Sequence, residues 1–317
     1  MWRWAIPAGS APRPEHMVKS RVSVVIPARN EIYLGKTVDD LLAKARGDIQ
    51  IIAVLDGYWP EPPLTQDKRV IQLHRGRSHG MRPGINAAVQ IADGEFILKA
   101  DGHTMWGEGF DEILKADCDD DWVVVPRRMS LDPVNWCKLE NGKSPVDYHY
   151  LSNPFERPGD PTCGLHGTWW PQRARERKDI VIDDEMSSQG SSYFMKRAFW
   201  DRIIGPLDDV HFTTFVSEFQ EIGNRCWLSG GSVKINKKTS MLHWHKGTSG
   251  RGYSISKREQ SSGSDFSTRY WMLDEWSERK RDLIWLIRHF WPVPGWGSDP
   301  EAVFAHARKT LTPTGAH

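Results

Sequence analysis

The sequence predicts an α/β protein: an open, mostly parallel sheet flanked by helices, followed by a helical C-terminal extension. Three observations predict it. β-branched runs alternate with helical periodicity up to residue 126, polar residues collect where those runs end, and helical spacing returns beyond residue 265. Arg21–Pro27 (RVSVVIP) is a compact β-branched run closed by proline and reads as a buried strand. Leu34, Val38, Leu41, Leu42 and Ala45 repeat at helical spacing across Leu34–Arg46. Ile49–Leu55 is a second strand ending at Asp56-Gly57, and Arg69–Leu73 a short third. Gly84–Ala92 reads as a helix, Glu95–Ala100 as a fourth strand, Gly109–Ala116 as a helix and Trp122–Val125 as a fifth strand. Such sheets bind ligands at the carboxyl ends of their strands, and those ends here carry Pro27, Arg29, Asn30 and Glu31, then Asp56, then Asp101 and His103.

The remaining chain divides by composition. Residues 1–20 form an N-terminal extension, 21–126 the ligand-binding half of a domain, and 127–246 its second half. Within that second half, Arg127–Ile182 is rich in proline, glycine and aromatics without a clear period, as expected of an insertion over one face. Regular structure resumes at Ser192–Ile204 and Glu218–Leu228. Residues 247–264 are rich in glycine and serine and read as a flexible loop, either a lid over a ligand or a plain linker. Phe266–Phe290 opens a Trp-rich helical extension, 265–317. No internal repeat is present.

Composition excludes several classes. With 317 residues, a formal net charge of +1 and 39% apolar residues, the chain is long enough for a large core and too neutral to coat nucleic acid with its whole surface. Its four cysteines lie far apart without a C-x-x-C pair, so neither a zinc ribbon nor a disulfide scaffold is indicated. No apolar run reaches transmembrane length, and the N-terminus lacks the apolar stretch of a signal peptide, so a cytoplasmic location is expected. The neutrality hides an asymmetry: residues 101–122 hold eight acids and one base, whereas 234–290 hold 12 Lys and Arg against 6 acids. The 16 tryptophans are more than one core needs.

Asp101-Gly102-His103 closes the fourth strand. Residues i and i+2 of an extended chain project to one side, so the carboxylate and imidazole can converge on a divalent first-row cation. Taken alone, the pattern also describes an aspartate capping a turn beside a surface histidine. Glu218 and Glu221, three apart, share one side of a helix and either bind a ligand or serve as a base; acidic residues also favour a helix start by charge alone.

In order and spacing, RVSVVIPARNE, IIAVLDG and HGMRPGINAAVQIADGEFILKADGHTMWGEGFDEIL resemble the nucleotide-binding half of GT-A glycosyltransferases, and within them glycosyltransferase family 2. Further details are similar to the polypeptide N-acetylgalactosaminyltransferases: D-x-H at Asp101–His103, a loose G-x-x-R at Gly80–Arg82, and an E-N-x-E-x-x-x-R-x-W-like run from Glu218 through Arg225 and Trp227 to Gly230-Gly231. A histidine in MLHWH follows. The resemblance spans residues 21–246. It implies a metal-dependent transfer from a UDP-sugar to a hydroxyl acceptor, with Mn2+ expected and Mg2+ the alternative. Asp101, His103 and His243 would hold the cation, with His245 the competitor of His243. Asn30 or Glu31, with Asp56, would meet base and ribose, and Arg82 the diphosphate. Arg251 and Tyr253 would reach the donor when the loop closes. Phe219 stands where family 2 relatives carry an acid. Family 2 implies inversion of configuration, whereas D-x-H favours retention.

The acceptor is open between a modified DNA base, a glycan and a peptide. Trp169, Trp170 and Trp244 are the expected acceptor platforms, and the basic, aromatic C-terminal part would suit an anionic partner unless its aromatics simply pack on the core. The alternatives to an enzyme are a nucleotide-sugar-binding protein without transfer activity and a nucleic-acid-binding module on the same scaffold. Oligomeric state is not legible.

Overall fold

The computed structural model describes residues 17–312 apart from 141, 143, 158–163, 213 and 248–249. Residues 1–16 of the expected N-terminal extension, Cys163, and residues 313–317 of the tail lie outside the described residues.

The parallel half forms where the β-branched runs stand. β1 (Val18–Ala28), α1 (Leu34–Lys44), β2 (Ile49–Asp56), β3 (Val70–Arg75), α2 (Met81–Ile91) and β4 (Gly94–Ala100) follow one another. β1 pairs in parallel with both β2 and β4, and β2 with β3. Alternation along β1 feeds two cores. Val24 and Ile26 join Leu34, Val38 and Leu41 of α1 on one face, while Val25 joins Ile85, Ala88 and Val89 of α2 on the other. Both faces are covered, which is why β2 is buried along its whole length.

Beyond β4 the sheet becomes mixed. β5 (Thr104–Trp106), α3 (Phe110–Ala116) and β6 (Trp122–Asp132) lead into the expected insertion. That insertion contains short elements: β7 (Cys137–Lys138), β8 (His149–Leu151), β9 (Gly167–Trp169), α4 (Pro171–Glu176) and β10 (Ile182–Asp184). Strands of two or three residues are too short to show a period in sequence. β11 (Ser192–Lys196) then enters antiparallel between β4 and β6 and runs into α5 (Arg197–Phe199) and a single π turn. After α6 (Glu218–Leu228), β12 (Ser232–His243) pairs parallel to β6. The strand order is β10-β12-β6-β11-β4-β1-β2-β3, with β5 set against the end of β12.

The C-terminal part departs from expectation in two places. α7 (Lys257–Met272) starts inside the stretch expected as a loop, because Ser256 caps it, accepting from the Glu259 amide at 3.3 Å. The expectation of a loop therefore fails beyond Ser256. The helical spacing over 266–290 is divided between helices: after α7, α8 (Leu283–His289) begins afresh at the Asp282 cap, and α9 (Pro300–Thr310) follows at Asp299-Pro300. These helices pack with α6 on the α2 side of the sheet. Trp271, Trp276 and Trp296 are buried there with Trp200 and Trp227, so most tail tryptophans are core residues. Trp291 remains exposed. Trp106, beside the strand-end motif, is core as well, and Trp59 lies outside against His74.

The basic excess of the C-terminal half also resolves into pairs. Lys234 meets Asp184, Lys238 meets Asp117, Lys246 meets Glu31 and Arg288 meets Glu301. Lys237 donates to the Arg177 carbonyl, and Arg281 lies over the Trp285 ring. The anticipated cationic surface is thus largely spent within the fold.

Under the insertion, His149 Nδ1 lies 3.2 Å from Glu185 Oε1, both fully buried, with Arg128 beside the same imidazole. Burial, then Asp147, raises the Glu185 carboxyl well above the ordinary range, and burial lowers the His149 imidazole. Arg128 donates towards Nε2, so the neutral His149 ring carries its proton on Nδ1 and donates it to Glu185 Oε1. The folded value of Glu185 exceeds its unfolded one, so its contribution to stability is full below about pH 4.5 and is lost as pH rises towards the folded value. Glu185→Gln is expected to gain stability relative to wild type between pH 5 and pH 8, read from urea midpoints; a pH-independent difference would contradict this. Trp296 stacks on Phe304 and donates to the Leu151 carbonyl at 2.7 Å. Trp296→Ala should cost about 3–5 kcal/mol in denaturant unfolding.

Candidate active site

The carboxyl ends of the strands surround a cleft of about 700 Å³, within the range of ligand sites. Pro27, Arg29, Glu31, Asp56, Asp101, His103, Glu218, His243, Trp244, Arg251 and Tyr253 all line it, as the sequence leads one to expect. The segment before α7 supplies part of its rim through Arg251 and Tyr253. Arg29 lies over the Tyr253 ring at 4.5 Å, and Asn30 donates to the Gly252 carbonyl at 2.7 Å. Asn30 therefore fastens the loop rather than lining the cleft.

Asp101, His103 and His243 come together through a pairing that periodicity does not reveal. β5 runs antiparallel to the end of β12, with Thr104 opposite His243, and the Trp244 amide donates to the His103 carbonyl at 3.2 Å. Ligand atoms of the three side chains lie within 4.8 Å of one another. His243 Nε2 is 3.2 Å and His103 Nε2 3.8 Å from Asp101 Oδ2. His245 is not part of this group, although its ring meets that of His243 edge-on.

The supports of the group are equally specific. Glu31 accepts from His103 Nδ1 at 2.9 Å, which fixes the tautomer with a free lone pair on Nε2. Glu31 also accepts from Lys246. Gly102 is required for this approach, since a Cβ there would sit 2.7 Å from Glu31 Cγ. Burial pushes the His243 imidazole down to about 3, so it is neutral at pH 7 and able to ligate. Burial opposes ionisation of Asp101, but Lys99, His243 and His103 outweigh it and hold its carboxyl well below the usual range. A carboxylate with two imidazoles fits a divalent first-row cation.

Lys99, which the sequence reading passed over, ties this group to the rest of the cleft. It is 1% exposed, donates to Asp101 at 2.6 Å and to the Gly190 carbonyl, and lies 3.4 Å from Glu218. Burial pulls its ammonium down, but Asp101 and Glu218 prevail and keep it charged. Tyr193 donates to Glu218 at 3.2 Å, and Gly190 leaves the space that Glu218 fills, a Cβ there lying 2.2 Å from Oε2. A lysine placed directly after the apolar Phe96-Ile97-Leu98 run, two residues before D-x-H, was the available signal.

Besides Asn30, four expected site residues are placed elsewhere. Arg82 and Glu221 do not line the cleft. Arg82 is sealed beneath it, 3.3 Å from Glu221 and donating to the carbonyls of Thr214 and Val216, with its guanidinium over Phe212. Glu221 also pairs with Arg225 and accepts from the Asp208 amide. A fully buried charge needs such partners, and burial keeps both residues off the cleft surface. Trp170 is buried against Tyr150 and Arg173, and Trp169 points to solvent. Alternation along the extended chain sends the neighbours to opposite sides, and the same segment reaches the cleft through His166 and Gly167 instead. Asp56 does line the cleft, but its carboxylate accepts from Ser78 Oγ and from the amides of His79 and Gly80 at 2.7–2.9 Å. The sequence reading also missed Ser188–Ser191 and Gln220, small polar residues forming the wall beyond Glu218.

A mixed sheet carrying a D-x-H cation set at its strand ends is the architecture of a GT-A transferase. The glycosyl transferase family 2 profile matches residues 23–201, more than half of the chain, and the chain belongs to that family. Among solved structures it is similar to GalNAc-T7 with UDP, GalNAc and Mn2+ (TM-score 0.59, 15% identity), over 80% of this chain and 49% of that one. The chain thus spans about half the length of that relative. It is also similar to S. aureus TarS 1-349 in complex with UDP-GlcNAc (TM-score 0.52, 12% identity), over 84% of this chain and 69% of that one. At these identities the likeness establishes the fold. No curated protein matches the chain significantly. Among the described residues no helix is long and apolar enough to cross a membrane.

Lys99→Met would leave Asp101 and Glu218 without their counter-charge, at a cost of about 3–5 kcal/mol. Denaturant unfolding should register that loss in cation-free protein and a smaller one in saturating Mn2+. Equal loss in both conditions would argue against Lys99 as the counter-charge of the cation site.

Proposed function

We propose that the protein transfers a sugar from a UDP-sugar to a hydroxyl-bearing acceptor, aided by a divalent cation, Mn2+ before Mg2+, held by Asp101, His103 and His243. The observation that carries this reading is the Asp101–His103–His243 group set in a strand-end cleft of a family 2 fold. Two relatives of the same fold, solved with UDP, GalNAc and Mn2+ and with UDP-GlcNAc, support the donor class. A bound cation offsets charge on the departing diphosphate. Pro27, Arg29 and the Asp56-braced turn border the nucleoside. Lys246, Arg251 and Tyr253 close over the diphosphate and exclude water. Glu218, fixed by Lys99 and Tyr193, faces the transferred sugar. The acceptor enters along Trp244 and the Ser188–Gln189 wall.

We infer a neutral, hydroxyl-rich acceptor, a glycan rather than DNA. The cleft beyond Glu218 is lined by serine, glycine, glutamine and histidine, and most cations of the C-terminal half are engaged within the protein. A panel of UDP-sugars, assayed for UDP release with Mn2+, tests the reading. Release should stop with a chelator and return with Mn2+, and Asp101→Ala should lower it by about 100-fold or more. Failure to bind or cleave every UDP-sugar would overturn the proposal, and tight DNA binding would overturn the choice of acceptor.

A further inference from the structure

The cleft contains a histidine that the cation group does not use. A run of contacts leads to it from Asp101: Lys99 joins Asp101 to the Gly190 carbonyl, and the 188–191 segment continues along the wall. Gly167 then comes so close that a Cβ would lie 2.7 Å from the Ser188 carbonyl and 2.9 Å from the Gln220 amide. His166 follows at the end of that wall. Its Nε2 is 3.2 Å from Ser264 Oγ on α7, and its backbone amide donates to Ser152 Oγ at 3.0 Å. Gly164 makes room beside the ring, where a Cβ would meet both Ser264 Oγ and His166 Nε2 within 2.7 Å. The imidazole is therefore seated by three segments and, among the described residues, pairs with no carboxylate.

The carboxylates of the cleft are committed elsewhere. Asp101 belongs to the cation group, Glu31 serves His103 and Lys246, Asp56 braces its turn, and Glu218 is held by Lys99 and Tyr193. Glu259 stands exposed on the first turn of α7. Phe219 occupies the position after Glu218, and Glu221 is sealed against Arg82 and Arg225.

We propose that His166 is the general base of the transfer. Ser264 accepts the Nε2 proton, which leaves the lone pair on Nδ1. Nδ1 takes the proton of the acceptor hydroxyl as its oxygen bonds to the anomeric carbon. The bond from that carbon to the diphosphate breaks, its electron pair leaves with the diphosphate, and the imidazolium later returns the proton to solvent. A base acting opposite the leaving group inverts the configuration, against the retention that D-x-H suggests. Burial lowers the His166 imidazole from its ordinary 6.5, so it is neutral at pH 7. The acidic groups on neighbouring elements are Glu218 on α6 and Glu259 on α7. The inference rests on the glycosyl-transfer reading.

Hydrolysis tests it with water as acceptor and UDP-GlcNAc and UDP-GalNAc as probes in saturating Mn2+. The first sugar anomer released from these α-linked donors should be β by NMR. His166→Gln should lower kcat by about 10²–10⁴-fold, leave KM for the donor nearly unchanged and abolish the acid limb of the pH profile. Ser264→Ala, which keeps the ring, should show a smaller loss of the same kind, and added imidazole should restore activity to His166→Ala. Melting curves and UDP affinity establish that the variants fold. An α anomer, or an unchanged kcat in a folded His166→Gln protein, overturns this inference and leaves sugar transfer standing. A wild-type protein that cleaves neither these probes nor any other UDP-sugar overturns both.

Discussion

The site depends on one buried positive charge. Lys99 follows the apolar residues Phe96, Ile97 and Leu98 in β4 and is almost wholly removed from solvent. A lone ammonium there would lose its proton or unfold the strand; two carboxylates and a carbonyl keep it charged. In return it sets the places of Asp101, of Glu218 at the start of α6, and of the turn at Gly190. Asp101, with the two histidines beside it, and the Glu218–Gly190 wall of the cleft are therefore one electrostatic unit rather than two neighbouring features.

Around that unit, side chains that lack a ligand role still decide its shape. The Arg82–Glu221–Arg225 chain braces the floor from below, and Asp56 pins the turn that precedes α2. Asn30 ties the 250–253 segment to the end of β1, Arg29 lies over the Tyr253 ring, and Arg251 and Tyr253 face the cleft. The C-terminal helices contribute Glu259 to the cleft wall, set Ser264 against His166 and otherwise cover the α2 side of the sheet with tryptophan. An aromatic-rich tail serves packing first, and one of its buried hydroxyls, Ser264, lies against His166.

Much of the fold was legible because its signals are local. β2 and α6 appear almost at the limits their patterns indicate, since an unbroken β-branched run and a 3.6-residue period each need only neighbouring residues. The Ser256-Lys257-Arg258-Glu259 cap was also present in the sequence, masked by glycine and serine around it. The buried Arg82 and Glu221 were not legible as a pair, because residues 139 positions apart carry no mark of their contact. Trp170 and His166 show the same limit: composition marked the segment as a ligand wall, but which side chain faces the cleft depends on the strand's orientation.

By itself the sequence determined the parallel half of the sheet, its strand-end residues and the D-x-H motif, because each follows from alternation or periodicity within a single segment. Tertiary structure alone decided that β5 meets the end of β12 and so brings His243 beside Asp101 and His103. It also decided that Lys99 links Asp101 to Glu218, and that the wall beyond them belongs to His166. The physical reason is that charge pairing and cation ligation act across space between distant segments, where no periodicity along the chain records them.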